Sequence, residues 1–339
     1  AHDQPKKENP VNGWPCLFKS HSSLISFGRL MEPRKIKIGS RGSPLALWQA
    51  NWIKGQLETH NPDIPVEIII IKTSGDKIQD VPLAKIGGKG LFVKELEESM
   101  LRNEIDFAVH SMKDMPIKFP FALCIAAVTK RENPFDALVS KKNIKLDDLP
   151  KGAKVGTGSL RRMSQLLHYR PDLDLVPLRG NLDTRIKKLE TEGLDAIILA
   201  AAGLIRMGWE DKISEIISPE ILLPAMGQGA VGIEARKHDV DNQILLADMD
   251  DEDTHLALDA ERAVVTQLEG GCNVPIGAFA TIEGDEMTLK GLVASLDGKT
   301  VHQTESKGRK IDAKTIGKEL GNILLKMGGD KIMKEIHAT

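Results

Sequence analysis

Basic side chains recur in this sequence where a predicted strand ends or a predicted helix begins. Guanidinium and ammonium groups bind carboxylates and phosphates, and arginine offers a two-pronged donor to either anion. Ligands of open α/β sheets usually bind at these ends, so the placement favours a ligand with several carboxylates or phosphates over solvated surface charges. The nine residues of the set are Arg41, Lys85, Lys89, Lys113, Arg161, Arg162, Arg179, Arg185 and Arg206.

Two of these cations occupy a position that is unfavourable unless an anion lies nearby. Arg161 and Arg162 fall in the first turn of a helix that Ser159 is predicted to cap. A cation there opposes the helix dipole at a cost of about 0.3–1 kcal/mol each. Free N–H groups in the same turn attract anions, so the pair indicates an anion-binding helix start.

A carboxylate and a thiol stand out against this cationic set. Asp114 follows Lys113 directly after a buried-looking strand. It is equally consistent with a structural ion-pair partner, a general acid or base, and a group that stabilises developing positive charge. Cys272 follows Gly270 and Gly271, which permit an unusual exposed turn. Its thiol is either a nucleophile or covalent attachment point, or, as for most lone cysteines, a small buried apolar group.

Charge and hydropathy argue against nucleic-acid and membrane partners. The 339 residues include 46 Lys and Arg against 48 Asp and Glu, a net charge of −2, and only 4% are aromatic. That composition lacks the basic surface and the stacking platforms that nucleic-acid binding uses. The longest charge-free apolar run covers residues 196–205, which is too short for a bilayer that needs about 20 residues.

The three cysteines, Cys16, Cys124 and Cys272, are an odd number with no close pair. This favours a reducing compartment and argues against a disulfide framework. The histidines and cysteines also lack the close spacing of metal ligands, so no metal site is expected.

Two glycine-rich strings resemble nucleotide motifs but do not meet their structural requirements. Residues 227–232 match G-x-G-x-x-G, yet the residues from Val231 onward read as a strand, whereas a dinucleotide site needs a helix there. Residues 87–90 lack the spacing of a phosphate-binding loop, since Lys89 is followed by Gly90.

Hydrophobic periodicity predicts the scaffold that must position these groups. Strands at 35–39, 66–73 and 105–109 alternate with helices that begin at Ser43-Pro44 and near Phe92. The run 68–71 is apolar on both faces, which is typical of a buried parallel strand. A second series has strands at 137–140, 154–156, 173–177 and 195–199 and helices from Leu160 and Leu182, and the strand 230–235 is interpreted as a return to the first lobe.

The last part of the chain has a different pattern: a helix over 256–268, short strands with turns at 283–285 and 297–298, and a final helix over 316–323. The expected organisation is therefore α/β, with two lobes that face each other across a cleft and a small C-terminal α+β domain. Expected boundaries are 1–34 for a disordered or non-native extension, 35–130 with 229–248 for domain 1, 131–228 for domain 2 and 249–339 for domain 3. An alternative for residues 1–34 is the remnant of an organelle transit peptide.

Seven strings make the chain resemble the porphobilinogen deaminase (hydroxymethylbilane synthase) family over about residues 35–337. They cover residues 40–46, 85–92, 110–114, 156–162, 178–181, 227–230 and 269–272, in the family's order. Gly158 departs from the family, which commonly has Ser there, and the extension 1–34 has no assigned counterpart. The resemblance implies two lobes of the type II periplasmic-binding-protein kind plus a C-terminal α+β domain that bears a cofactor.

The resemblance also implies a transferase of tetrapyrrole and heme biosynthesis. Such an enzyme condenses four porphobilinogen molecules onto a dipyrromethane primer with loss of ammonia, and hydrolysis then releases hydroxymethylbilane. The primer would be joined to Cys272 by a thioether, and the catalytic carboxylate would be Asp114.

Further roles follow from the same resemblance. Cofactor binding would involve Asp80, Lys85, Ser111, Lys113, Thr157, Ser159, Arg161 and Arg162. Substrate and growing chain would contact Arg41, Ser43, Lys89, Phe92, Arg179, Arg185, Arg206 and Gln228, with Lys89 and Phe92 in a lid. The expected partner is porphobilinogen, without nucleic acid or membrane, for a cytoplasmic monomer; a plastid-like organelle is the alternative location.

Two rival functions remain at this point. A non-enzymatic two-lobed anion-binding protein would explain the cleft and the cations but gives Cys272 no role. A phosphate-handling transferase is disfavoured because the nucleotide motifs are incomplete.

Overall fold

Three β-sheets organise the chain in a computed structural model that describes residues 34–77, 92–270 and 274–338. The strands are β1 Ile36–Ser40, β2 Val66–Ile70, β3 Phe107–Ser111, β4 Leu123–Val128, β5 Asp136–Ser140, β6 Lys154–Gly156, β7 Asp174–Val176, β8 Ala196–Ala200, β9 Glu215–Ile216, β10 Val231–Arg236, β11 Ile276–Glu283, β12 Glu286–Ala294 and β13 Val301–Arg309. The α-helices are α1 Pro44–His60, α2 Ser74–Lys77, α3 Lys94–Leu101, α4 Leu160–Tyr169, α5 Leu182–Thr191, α6 Ala201–Arg206, α7 Val240–Leu246, α8 Glu252–Gln267, α9 Ala313–Leu324 and α10 Asp330–Ala338.

The first two lobes share one sheet topology. Lobe 1 has the strand order β2-β1-β3-β10-β4, and lobe 2 has the order β7-β6-β8-β5-β9. In each sheet three neighbouring strands are parallel, and an antiparallel strand, β10 or β5, separates them from the edge strand on that side. The predicted fold class is confirmed, and so is the return of β10 to lobe 1.

Helix α1 begins where the sequence predicts. The Ser43 side chain accepts a hydrogen bond from the Ala46 N–H at 3.4 Å, and Pro44 occupies the first turn, where no N–H is needed. The buried face of the helix includes Ala50, Ile53 and Leu57. This cap places the residues just before the helix at the end of β1, where the candidate site lies.

Strand β2 is shorter and less buried than predicted. It ends at Ile70 because its partner β1 ends at Ser40, and the Ile71 N–H makes the last bond to the Ser40 carbonyl at 2.8 Å. As an edge strand it leaves Ile70 56% exposed, so the expectation of burial on both faces is wrong.

The third domain packs α8 and α9 against the antiparallel sheet β11-β12-β13. Both predicted hairpin turns are present, with Gly284 (φ +63°) and Gly298 (φ +70°) in the left-handed region that glycine tolerates. The Gly298 turn rests on α4 of lobe 2, where the His168 ring lies 3.0 Å from the Gly298 carbonyl.

The disulfide state of Cys124 and the hydropathy of the helices bear on the expected compartment and on the expected absence of a membrane partner. Cys124, 4% exposed in β4, is disulfide-bonded, whereas the cysteine count and spacing argued for a reducing compartment and against a disulfide framework. None of the helices in the described ranges is both long enough and apolar enough to cross a bilayer.

Candidate functional site

A cavity of about 600 Å³ lies between the two lobes and reaches the third domain. Lobe 1 contributes the end of β1, the start of α1 and the end of β3, and lobe 2 contributes the starts of α4 and α5. Val265 and Ile276 of the third domain also line it. The predicted cleft between the lobes is therefore present.

Seven cations line this cavity among the described residues. They are Arg41, Lys72, Lys113, Arg161, Arg162, Arg179 and Arg185. Lys72 was not predicted, although it follows a strand as several others do. This concentration of positive charge fits a polyanionic ligand.

On the lobe 1 side, Arg41 is held by a carboxylate and an aromatic ring. The Asp76 carboxylate accepts from the Arg41 Nη2 at 2.5 Å and from its Nε at 3.2 Å, and the guanidinium lies 4.1 Å from the Phe92 ring centre. Burial acts to raise the pKa of Asp76, but the hydrogen bonds from Arg41 and Thr73 outweigh it and lower that pKa. Arg41 is thus pre-oriented at the cavity wall.

A short helical turn, Met112–Asp114, follows the end of β3, and its Lys113 and Asp114 line the cavity. Met112 and Met115 are fully buried and anchor the turn, while Ser111 exchanges hydrogen bonds with Gln49 at 3.0 and 3.3 Å. Lys113 is half-buried, and burial, followed by the charge of Arg162, lowers its pKa to about 8. A carboxylate ligand beside it would favour the protonated form.

Asp114 differs from the other carboxylate that lines the cavity. Asp76 is bound to Arg41, whereas Asp114 is exposed and makes no hydrogen bond or ion pair within the described part of the chain. A carboxylate that is free among cations can accept N–H bonds from a ligand or stabilise positive charge.

On the lobe 2 side, the helix start at α4 is capped as predicted, since Ser159 accepts from the Arg162 N–H at 3.4 Å. Arg161 and Arg162 are each 4% exposed, and an internal carboxylate that was not predicted, Asp136, pairs with them at 2.8 and 2.7 Å. The pair therefore faces a protein carboxylate as well as the cavity. The sequence signal was absent because Asp136 precedes them by more than 20 residues.

Several buried polar atoms around the cavity lack partners. The Arg161 Nε, the Arg179 Nη2 and the Gln228 Oε1 are buried without a hydrogen-bond partner in the described ranges. Unsatisfied buried donors and acceptors are costly, so these atoms mark places for ligand carboxylates and ligand N–H groups.

Arg185 is the remaining cation of this wall, and its Nε donates to the Gly180 carbonyl at 2.8 Å. Burial, followed by the charge of Arg162, lowers its pKa to about 10, which leaves it protonated at neutral pH. Burial likewise lowers the pKa of Arg179.

The cavity lining also includes several of the predicted residues that are not cations. They are Ser43, Phe92, Ser111, Ser159 and Gln228.

Two predicted residues in the described ranges lie outside this lining. Arg206 instead donates to the Gly229 carbonyl at 2.7 Å and lies 5.9 Å from the Trp48 ring centre. Thr157 is buried and accepts from the Ser159 N–H at 3.3 Å.

Four predicted residues, Asp80, Lys85, Lys89 and Cys272, lie outside the described residues. On the C-terminal side of residues 271–273, Val274 and Ile276 line the cavity. On the N-terminal side, Val265 of α8 does so.

Known families and proteins match this chain over most of its length. The model "Porphobilinogen deaminase, dipyromethane cofactor binding domain" matches residues 36–244, and "Porphobilinogen deaminase, C-terminal domain" matches residues 255–326. The porphobilinogen deaminase of Desulforamulus reducens is 54% identical over 304 residues, or 90% of this chain and 98% of that protein. That of Trichlorobacter lovleyi is 51% identical over 307 residues, or 91% and 98%.

The chain belongs to the porphobilinogen deaminase family. The resemblance drawn from the seven strings is thereby confirmed, and the family identity favours the enzyme over the anion-binding alternative. The protein is a transferase of porphyrin biosynthesis that uses a dipyrromethane cofactor and takes porphobilinogen as its substrate.

Solved structures give a weaker likeness. The periplasmic aliphatic sulphonate binding protein SsuA from Escherichia coli has a TM-score of 0.37 and 16% identity, over 70% of this chain and 71% of that chain. The probable amino-acid ABC transporter extracellular-binding protein ytmK from Bacillus subtilis has a TM-score of 0.38 and 14% identity, over 63% and 92%.

The described residues fit a dipyrromethane group. Each of its two pyrrole rings carries two carboxylates and one N–H, which need cations and acceptors. The wall supplies both, with the unpartnered Arg161 Nε and Arg179 Nη2 as donors and the Gln228 Oε1 and the free Asp114 carboxylate as acceptors.

Proposed function

We propose that Asp114 is the catalytic carboxylate of the porphobilinogen condensation. The single observation that supports this is that the Asp114 carboxylate is unpaired: it lies at the cavity among seven cations and has no ion pair within the described ranges. Loss of ammonia from porphobilinogen leaves positive charge on the pyrrole. Asp114 can accept the pyrrole N–H, stabilise that charge and carry a proton.

The wall of lobe 2 would hold the cofactor. When bound, dipyrromethane supplies the nucleophilic ring carbon to which substrate units are added. Arg161, Arg162 and Lys113 would bind its carboxylates, with Ser111 and Ser159 as nearby hydroxyl groups. Thr157 lies behind the Ser159 N–H and would act through it. By family resemblance, Cys272 provides the thioether, and Asp80 and Lys85 complete the site.

The remaining cations would bind the substrate and the growing chain, which gains two carboxylates with each unit. Arg41 is held in place by Asp76 and Phe92, and the Arg179 Nη2 has no partner in the described ranges, which supports a role for both in binding carboxylates. Ser43, Arg185 and Gln228 share this wall. Arg206 would act only at a later stage of elongation, since it lies outside the lining, and Lys89 remains an expectation from resemblance.

We also propose three domains, with 35–130 and 229–248 as domain 1, 131–228 as domain 2 and 249–339 as domain 3. The strand assignments support this division, because β1–β4 and β10 form one sheet and β5–β9 another. We also propose that the protein acts as a cytoplasmic monomer that uses neither nucleic acid nor membrane, in keeping with its net charge of −2.

Intact-protein mass spectrometry tests the covalent part of this proposal. The purified chain should exceed its sequence mass by two linked pyrroles and should give the dipyrromethane colour with Ehrlich's reagent. Cys272→Ser should have the bare mass, while the matched control Cys16→Ser should retain the added mass. A bare mass for the unmodified chain after incubation with porphobilinogen would overturn the cofactor assignment and favour the anion-binding alternative.

A further inference from the structure

One carboxylate behind the cavity wall contacts both arginines of α4. Asp136, the first residue of β5, is 0% exposed and does not itself line the cavity. Its Oδ2 lies 2.8 Å from the Arg161 Nη1, and its Oδ1 accepts from the Arg162 Nη2 at 2.7 Å and from its Nε at 3.0 Å.

The same carboxylate connects three separated segments of the chain. Gln228, on the segment that returns from lobe 2 to lobe 1, donates from Nε2 to the Asp136 Oδ1 at 2.8 Å and to the Pro134 carbonyl at 2.7 Å. Asp136 itself follows the outgoing segment, and the arginines begin α4. The Gln228 amide is thereby fixed with its unpartnered Oε1 at the cavity wall.

The geometry also determines which arginine donors remain for a ligand. The Arg162 Nη1 donates to the Ile198 carbonyl at 2.9 Å, and the Arg161 Nη1 donates to the Leu223 carbonyl at 2.8 Å. All three nitrogens of the Arg162 guanidinium are therefore engaged, whereas Arg161 is engaged through Nη1 and its Nε has no partner in the described ranges.

Charge balance explains why a carboxylate is needed here. Two guanidinium groups that are each 4% exposed carry two positive charges, and burying charges without counter-ions is costly. Asp136 leaves a net charge of +1 in this cluster before any ligand binds. Burial acts to raise the pKa of Asp136, but the charges of Arg161 and Arg162 outweigh it and hold that pKa well below its usual range, so the residue is ionised.

We propose that Asp136 is a positioning residue of the cofactor site: it acts as the counter-ion of Arg161 and Arg162 before dipyrromethane is present and fixes their donors for its carboxylates. The inference rests on the proposed function, because it assigns these arginines to the cofactor. It predicts that an uncharged residue at 136 lowers the stability of the cofactor-free protein. It also predicts that the arginine donors are no longer held in place, so that fewer chains take up the cofactor.

The test compares Asp136→Asn, Asp136→Glu and unmodified protein, each in cofactor-free form and after incubation with porphobilinogen. Asp172→Asn is the matched control, since Asp172 pairs with Arg170 at 2.7 Å at the protein surface. Intact mass gives the fraction of chains with two added pyrroles, and thermal unfolding gives the midpoint of each form.

In Asp136→Asn the fraction of loaded chains should fall at least tenfold, and the unfolding midpoint of the cofactor-free form should drop by several degrees. Asp136→Glu retains the charge and should load to within about twofold of the unmodified protein. Normal loading of a folded Asp136→Asn would contradict a positioning role.

If Asp136→Asn does not fold, Asp136→Glu decides. A folded Asp136→Glu that fails to load would overturn the proposal, because the charge would then be insufficient. Failure of the unmodified protein to take up pyrroles would instead contradict the proposed function itself. The two failures are therefore distinguishable.

Discussion

Replacing Glu261 with glutamine should loosen the junction of all three domains. Glu261 lies on α8, is 0% exposed and accepts four hydrogen bonds. Its Oε1 accepts from the Arg131 Nη1 at 2.7 Å and the Ala280 N–H at 2.9 Å. Its Oε2 accepts from the Arg131 Nη2 at 3.0 Å and the Gly227 N–H at 2.7 Å. One carboxylate thus links the third domain to both segments that cross between the lobes.

The expected magnitude follows from this geometry. A glutamine amide places an NH₂ group where one carboxylate oxygen was, so it faces either Arg131 and Ala280 or Arg131 and Gly227, which are all donors. The Arg131 charge also loses its counter-ion, and breaking a buried pair from one side costs about 3–5 kcal/mol. With an unfolding entropy of about 2.1 cal/mol/K per residue over roughly 300 residues, the unfolding midpoint should drop by about 5–8 °C.

Differential scanning calorimetry measures this drop, and Glu283→Gln is the matched control. Glu283 is exposed at the end of β11, so its loss should change stability by at most about 0.5 kcal/mol. A double-mutant cycle with Arg131→Met should show non-additive losses, because the two residues contact each other. A midpoint for Glu261→Gln within 1 °C of the control, or additive losses in the cycle, would refute the reasoning.

Three further predictions follow from the site and its surroundings. Burial, followed by the charge of Glu234, raises the pKa of Glu97 to about 7, so the folded state loses stability as pH rises from about 4.5 to 7. In urea unfolding at pH 8, Glu97→Gln should therefore raise the free energy of unfolding by about 1–2 kcal/mol, after allowance for partial exposure. Equal effects of the substitution at pH 4 and pH 8 would contradict this. A Cβ at Gly298 would lie 2.5 Å from the Ser164 carbonyl oxygen, whereas a Cβ at Gly284 would meet nothing within 4 Å. Gly298→Ala should therefore lower the free energy of unfolding by about 1–3 kcal/mol more than Gly284→Ala does. Equal losses would show that the Gly298 turn does not pack against α4. Asp114→Asn should lower turnover by about 10²–10³-fold while thermal stability stays unchanged, and a normal rate would remove Asp114 from the mechanism.

The local sequence pattern was sufficient to predict most helices and strands and many residues of the cavity wall. Ser43 and Ser159 cap their helices as predicted, because capping depends on residues three positions apart. The apolar face of α1 and the hairpin turns at Gly284 and Gly298 follow from equally short periodicities. The seven strings, each a few residues long, were also enough for the family.

Boundaries and burial depended on strands distant in sequence. The strand predicted over 66–73 ends at Ile70 because β1, about 30 residues earlier, ends beside it. Its apolar run suggested a buried strand, yet β2 lies at the edge of the sheet. A sequence window contains no information on which strand will lie at an edge.

What the sequence by itself determined is the kind of chemistry: cations for carboxylates, a carboxylate at Asp114 and a thiol at Cys272. Only the tertiary structure decided which charges are free to perform it. Asp136 neutralises part of the arginine pair, Asp76 holds Arg41, and Asp114 has neither kind of partner within the described ranges. The physical reason is that the energy of a charge depends on the distance to its counter-ions and on its burial, and folding sets both between residues far apart in the chain.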